Sequence, residues 1–117
     1  MGGLPVDNRL TVYHIIHMIV VEKTDIFLNW LRGLRDIRAV ARIQIRIDRL
    51  ALGNSGDAKP VGEGVSEMRV DYGPGYRIYF SQRGKTFVVL LCGGDKRTQK
   101  ADILNAKKLA KEWTDGT

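Results

Sequence analysis

Residues 65–92 read VSEMRVDYGPGYRIYFSQRGKTFVVLLC, and this stretch decides the fold class. It contains three runs rich in β-branched and aromatic residues, which favour strands. Turn-forming residues, YGPG at 72–75 and RG at 83–84, separate the three runs. The pattern therefore predicts two consecutive hairpins, with strands over residues 65–71, 76–82 and 86–92.

The chain before these hairpins predicts one strand and two helices. The short apolar run at 18–23 favours a strand, and Thr24 or Asp25 is suited to cap the helix that follows it. Asp36 is suited to cap a second helix, which extends to about Leu52. Apolar residues recur at helical spacing after both caps, so each helix is predicted to bury one face.

The middle of the second helix also fits a strand. Ile43, Ile45 and Ile47 alternate with polar residues, as the residues of a half-buried strand do. Ile43 and Ile47 also continue an apolar stripe at helical spacing, and the length and the Ala and Arg content of the segment favour the helix. We therefore predict a helix here.

The remaining segments complete a single α+β domain. Residues 53–64 are rich in Gly, Asn, Ser and Pro and are predicted to form a loop, and a last helix begins near Thr98. The predicted order is β-α-α-β-β-β-α, with an antiparallel sheet packed on helices. Residues 1–17 lack this organisation and are interpreted as an N-terminal extension: a tag, a mis-called start or a flexible arm. Residues 18–117 form the domain.

Composition bounds the class of protein. The longest apolar run, residues 15–21, is much shorter than the roughly 18 residues that a membrane span needs. Cys92 is the single cysteine, which excludes an internal disulfide, and its apolar surroundings favour a buried structural thiol. We expect a small cytoplasmic protein of one domain.

The chain is basic, with 19 Lys and Arg against 13 Asp and Glu, a net charge of +6 and a pI of about 9.7. This excess suits a polyanionic partner, and a solvated surface kept for solubility explains it equally well. The second helix carries a basic face, for which three interpretations are open: it contacts RNA phosphates, it binds an acidic protein partner, or it is exposed to solvent. That face is made by Arg35, Arg38, Arg42, Arg46 and Arg49.

The domain offers cations rather than metal ligands or histidines. Both histidines, His14 and His17, precede it, and no metal-binding or nucleotide-binding motif is present. Cations within or beside the predicted strands either pair with carboxylates or form an anion-binding face. Such a face can support RNA cleavage without a metal, because fixed cations stabilise the charge that develops as a 2′-hydroxyl attacks phosphorus. The cations are Lys59, Arg69, Arg77 and Lys96, and the carboxylates are Glu67, Asp71 and Asp95.

The first hairpin decides whether two of these cations act together. Arg69 and Arg77 lie on the same face of the sheet only if the turn between their strands has an odd number of residues or contains a bulge. Gly73 and Gly75 leave room for either arrangement. The sequence leaves this question open.

Three sequence blocks carry a family resemblance. They are Glu67-x-Arg69, GPGYR at 73–77 and GGDKRTQ at 93–99, with further matches upstream between residues 27 and 59. The blocks resemble those of RelE/ParE-type toxins of type II toxin–antitoxin systems. The most similar subgroup is the HigB-like "addiction module killer protein". The resemblance runs from about residue 18 to residue 113.

This resemblance implies a compact microbial-ribonuclease-like fold and a ribosome-dependent endoribonuclease that uses no cofactor. The implied reaction cleaves mRNA in the ribosomal A site, leaves a 2′,3′-cyclic phosphate and halts translation. The implied partners are the ribosome, mRNA and a cognate antitoxin, typically a small helix-turn-helix protein through which operator DNA is contacted. ParE-like relatives inhibit DNA gyrase by binding, which is the alternative function. A purely regulatory partner of the antitoxin is a third.

The resemblance also implies roles for individual residues. Arg77 matches an arginine that binds the scissile phosphate, Lys96 matches a cation at the leaving group, and Arg69 matches a second-strand cation. A C-terminal tyrosine of the family has no counterpart, since its position falls near Asp102, and Tyr79 or Gln99 are the candidates to replace it. The further residues expected to contact RNA are Lys59, Tyr79, Arg97, Gln99, Arg42, Arg46 and Arg49, and no metal ligand is predicted.

Overall fold

A computed structural model describes residues 19–113 as three α-helices and one five-stranded sheet. The predicted extension, residues 1–17, lies outside the described residues, as do Met18 and residues 114–117. The elements follow in the order β1 (Val20–Lys23), α1 (Asp25–Gly33), α2 (Ile37–Ala51), β2 (Ala58–Gly62), β3 (Val65–Val70), β4 (Tyr76–Gln82), β5 (Phe87–Gly94), a 3₁₀ turn (Lys96–Thr98) and α3 (Gln99–Glu112).

The sheet has the strand order β1-β5-β4-β3-β2 and is mixed. Strands β2 to β5 pair antiparallel, which confirms the two predicted hairpins, whereas β1 pairs parallel to β5. The prediction of a wholly antiparallel sheet is therefore wrong at this edge. The direction of β1 relative to β5 depends on how the connection between them returns the chain to the sheet. The short sequence of β1 does not indicate whether that pairing is parallel or antiparallel.

The segment predicted as a loop, residues 53–64, contains a strand that was not predicted, β2. Strand β2 pairs with β3 alone and forms the other edge of the sheet, with an irregularity in register between Pro60 and Gly62. Proline cannot donate a ladder hydrogen bond, so an edge strand is where it is tolerated. An edge strand hydrogen-bonds to only one neighbouring strand, so it can contain turn-forming residues such as proline and glycine. For this reason the composition of residues 53–64 did not reveal the strand.

The helices begin where their capping residues predict. The Thr24 hydroxyl accepts a hydrogen bond from the Phe27 N–H at 3.0 Å, and the Asp36 carboxylate caps α2. Within α2, Ile43 and Ile47 are buried while Ile45 is about half exposed. Helical spacing, rather than strand alternation, therefore describes this segment, as predicted.

We expect the Asp36 cap to stabilise the protein in a pH-dependent way. The backbone N–H groups of Ala39 and Arg38 donate to its carboxylate, and the bond from Ala39 is the main reason that the pKa of Asp36 lies below its ordinary value of 3.8. Because the folded-state pKa is the lower one, this stabilisation is present above about pH 3.8 and is lost as the pH falls through the folded-state value.

Urea unfolding of the wild type and Asp36→Ala measures this effect. The midpoints should differ at neutral pH and converge in acid. Asp48→Ala is the control on the same helix, because within the described residues the Asp48 carboxylate accepts only from the Gln44 side chain. A gap between wild type and Asp36→Ala that stays constant with pH contradicts the assignment.

The sheet carries a packed layer on each face. Helices α1 and α2 cover one face through Phe27, Ile43 and Ile47, and α3 covers the other through Ala106 and Ala110. Strand β5 is buried between both layers, as its continuous apolar run predicts. Cys92 is buried as predicted, and burial raises the pKa of its thiol to about 12. Within residues 19–113, no helix has the length and apolar character needed to cross a bilayer.

Candidate functional site

The register of the β3–β4 hairpin places two arginines side by side. Arg69 and Arg77 are direct cross-strand partners, and the connection between the strands, residues 71–75, has an odd number of residues. Cross-strand partners point to the same face of a sheet, so the two side chains share one face. The turn is possible because Gly73 and Gly75 adopt positive φ angles of 57° and 79°.

A cleft of about 360 Å³ opens at this end of the hairpin. It brings together the three residues predicted to be catalytic: one from β3, one from β4 and one from the 3₁₀ turn that follows β5. Two carboxylates and one tyrosine complete the polar lining. The cleft is lined by Asp57, Arg69, Val70, Asp71, Gly75, Tyr76, Arg77 and Lys96.

Arg77 is held firmly at the base of this cleft. Its side chain is only 10% exposed, its Nη1 donates to the Gly75 carbonyl at 2.7 Å, and its Nε lies 3.7 Å from the Glu67 carboxylate. A buried arginine requires a counter-charge, since an unpaired buried cation is costly. Pairing with Glu67, which the sequence left as an alternative to anion binding, is therefore present, and Arg77 still lines the cleft.

A buried carboxylate organises the floor beneath the cleft. Glu67 is fully buried, and its Oε2 accepts hydrogen bonds from the Tyr79 hydroxyl at 3.0 Å and from Gln99 Nε2 at 2.8 Å. Burial and the neighbouring Glu67 charge raise the pKa of Tyr79 far above its ordinary value. Tyr79 therefore stays protonated and lies below the cleft surface, and Gln99 is committed to Glu67.

The other two cations of the cleft are more accessible. Arg69 Nη2 forms an ion pair with Asp57 at 3.0 Å, and both side chains are about half exposed. This pair was not predicted, since the sequence offered Glu67, Asp71 and Asp95 as partners. Lys96 is exposed, and no ion pair or hydrogen bond engages its side chain within the described part of the chain. An anion can therefore reach Lys96 without displacing an internal partner.

None of the seven residues predicted to contact RNA lines this cleft: Tyr79 and Gln99 bind Glu67, the α2 arginines lie in a neighbouring groove, and Lys59 and Arg97 lie elsewhere. Lys59, on the edge strand β2, lines a separate depression together with Leu50 and Phe80. Arg97 lies next to Lys96, is exposed, and pairs with Asp95 at 3.1 Å. Both remain at the protein surface, so their contact with RNA stays a prediction.

Part of the predicted arginine face borders the cleft: Arg42, Arg46 and Arg49 do so, whereas Arg35 precedes α2, which begins at Ile37. Arg42 lies over the Tyr72 ring at 4.7 Å, and Arg46 donates to the Ser55 carbonyl at 3.0 Å and to the Arg69 carbonyl. With Arg49 they line a groove that also contains Val70 and Asp71, and the cleft shares these last two residues. The basic surface of α2 is therefore continuous with the cleft.

Glu67 is the member of this site whose role sequence reasoning missed. The sequence offered Glu67 only as one of three carboxylates with which a cation could pair, whereas the structure buries it completely. The strand register would have indicated this role, because it makes Glu67 the cross-strand partner of Tyr79, next to the Arg69–Arg77 pair. No group of three His, Cys, Asp or Glu residues within 19–113 is arranged to hold a metal ion.

Comparison with known proteins identifies a relative. A protein of Haemophilus influenzae, described as an uncharacterized protein, is 49% identical over 94 residues, which cover 80% of this chain and 95% of the relative. The chain belongs to the family of this Haemophilus protein. The Haemophilus relative is covered almost entirely, so the two proteins share most of their length. No protein-family model and no solved structure matches the chain.

Proposed function

We propose that this protein is the toxin of a type II toxin–antitoxin system and cleaves mRNA on the ribosome. One observation carries the proposal: Arg69, Arg77 and Lys96, from three separate elements, converge on one cleft. The negative charge of an RNA phosphodiester suits that arrangement, because guanidinium groups bind phosphate through paired hydrogen bonds. The sequence blocks that resemble RelE/ParE-type toxins support the same assignment.

The proposed reaction needs no metal ion. The 2′-hydroxyl oxygen attacks the adjacent phosphorus, the bond to the 5′-oxygen breaks, and a 2′,3′-cyclic phosphate and a free 5′-hydroxyl result. Negative charge accumulates on the phosphoryl oxygens in the transition state, and Arg77 and Arg69 stabilise it. Lys96 is the cation proposed to act at the departing 5′-oxygen.

Proton transfer requires an acceptor for the 2′-hydroxyl proton and a donor for the leaving oxygen. Residues 19–113 contain no histidine, and the Tyr79 proton is held by Glu67. Asp57 and Asp71 are the carboxylates that line the cleft, so they are the acceptors we propose. Lys96 is the proposed donor, and the ribosome positions the mRNA against these groups.

The remaining basic surface suits the partners of such a toxin. The face formed by Arg42, Arg46 and Arg49 is proposed to contact ribosomal RNA phosphates, and this contact would make binding steeply salt-dependent. A cognate antitoxin, a small helix-turn-helix protein, would block the toxin and link it to operator DNA. The proposed activity takes place in the cytoplasm, where ribosomes translate.

Primer extension on a reporter mRNA, after induction of the protein, tests this function. Translated and untranslated versions of the message are compared, with Arg77→Ala as the inactive reference. We expect cuts at codon positions in the translated message alone. Growth arrest with both messages intact and with DNA breaks accumulating would contradict the proposal and indicate gyrase inhibition. Cuts in both messages would contradict ribosome dependence, and absence of toxicity would indicate a purely regulatory protein.

A further inference from the structure

Burial of Glu67 is unexpected in a domain of this size. Its side chain has no exposed surface, although a carboxylate loses several kcal/mol of hydration when it leaves water. Its ion pair with Arg77 spans 3.7 Å, longer than a hydrogen bond, so the pair is a weak source of stability. Apolar residues at these two positions would pack without that cost. The carboxylate therefore needs another explanation.

The neighbours of Glu67 fix the position of one oxygen. Tyr79 donates from β4 and Gln99 donates from the start of α3, and both bonds end on Oε2. Oε1 is buried and has no hydrogen-bond partner within the described residues. Oε2 also lies 3.7 Å from Arg77 Nε. Two donors thus hold the negative charge at the point that faces the arginine.

Arg77 is restrained from two sides as a result. Its Nη1 donates to the Gly75 carbonyl, whereas its Nε is buried without a hydrogen bond within the described residues and lies 3.7 Å from Glu67 Oε2. The third nitrogen, Nη2, has no internal hydrogen bond within residues 19–113, and Arg77 lines the cleft. The hydrogen bond at Nη1 and the Glu67 charge beside Nε together favour one orientation of the guanidinium, because its three nitrogens lie in one fixed plane.

We propose that Glu67 is a positioning residue: its buried carboxylate, held by Tyr79 and Gln99, orients the guanidinium of Arg77 toward the phosphate bound in the cleft. The inference rests on the proposed function, because it assumes that an RNA phosphodiester occupies the cleft. Glu67 itself does not line the cleft and contacts no reacting atom. Its whole effect passes through Arg77.

A double-mutant cycle on the cleavage rate tests this dependence. Glu67→Gln removes the charge with little change of shape, and Glu63→Gln is the matched control, since Glu63 pairs with Lys107 and Lys111 away from the cleft. We expect Glu67→Gln to slow single-turnover cleavage of ribosome-bound mRNA about 10- to 100-fold, the effect of a misplaced catalytic group. Glu63→Gln should leave the rate unchanged.

The same substitution in an Arg77→Lys background is the decisive arm. A lysine has no planar fork to orient, so Glu67→Gln should change the rate of that variant by less than about twofold. An equal loss in both backgrounds overturns the proposal, because it shows that Glu67 acts independently of Arg77. If Glu67→Gln fails to fold, Gln99→Met removes one of the two donors to Oε2. It should give a smaller loss that also disappears with Arg77→Lys, and an undiminished rate overturns the proposal.

A binding measurement separates this inference from the proposed function. Inorganic phosphate is titrated into the ¹⁵N-labelled protein while the Arg77 Nε–Hε resonance is followed. We expect a shift in the wild type that weakens in Glu67→Gln. If phosphate shifts the resonance in the wild type and shifts it less in Glu67→Gln, but the wild type never cleaves mRNA, then the proposed function fails and the positioning role stands. Equal phosphate binding by both proteins overturns the positioning role, whatever the outcome of the cleavage assay.

Discussion

On the proposed function, replacing Arg77 with alanine should slow mRNA cleavage about 100- to 1,000-fold, the usual cost of removing one donor that stabilises transition-state charge. Arg77 is the most buried cation of the cleft, and its Nη1 donates to the Gly75 carbonyl. Growth arrest on induction should be relieved to the same extent. Single-turnover cleavage of ribosome-bound message and colony formation after induction measure the two effects.

Stability must be measured beside activity for this variant. Arg77→Ala leaves the Glu67 carboxylate buried without its cation, which is expected to cost about 3 kcal/mol of folding free energy. Arg77→Lys keeps a cation but loses the paired donors, so it separates the two effects. Arg32→Ala, an exposed arginine in the last turn of α1, is the matched control. An Arg77→Ala protein that stays folded and fully toxic would show that the site is elsewhere.

Replacing Gly93 with alanine should destabilise the protein strongly. A Cβ at this position would overlap three ring atoms of Trp30, a rigid side chain on α1 that packs against Tyr76 at the cleft. The helix must move away from β5 to relieve the overlap, and we expect a loss of about 3 kcal/mol, as for a severe overpacking change. Urea unfolding measures the loss.

The chain provides a matched glycine for comparison. Gly33, in the last turn of α1, has open space where an added methyl group would lie, and its φ angle is not in the left-handed region. Gly33→Ala should therefore leave stability unchanged or raise it by up to about 1 kcal/mol, because alanine restricts the unfolded chain. Equal unfolding midpoints for Gly93→Ala and wild type would mean that Trp30 and β5 are not in close contact.

Local elements were largely predictable because their signals are local. Thr24 and Asp36 mark helix starts through side chains that accept from the next turn, and turn-forming residues mark both hairpins. The parallel pairing of β1 was not predictable, because it joins residues that are 67 positions apart in sequence, such as Val20 and Phe87. Strand β2 was missed because its sequence, AKPVG, resembles a turn.

The candidate site was predictable as a set of residue types but not as an arrangement. Strand positions and the toxin resemblance singled out Arg69, Arg77 and Lys96, and the structure brings all three to one cleft. The pairing of Arg69 with Asp57 and the burial of Glu67 depend on contacts between strands and loops that no local pattern encodes. Tyr79 is an example: the sequence pattern places it in a strand but does not show that its side chain is fully buried.

The sequence by itself determined the α+β class, the helices, the hairpins and the basic character of the protein. These features follow from capping, turn chemistry and periodicity, whose causes lie within a few residues of each other. Only the tertiary structure decided which cations share a cleft and which carboxylate supports them. The reason is register: shifting one strand by a single residue would move Arg77 to the opposite face, away from Glu67 and Arg69.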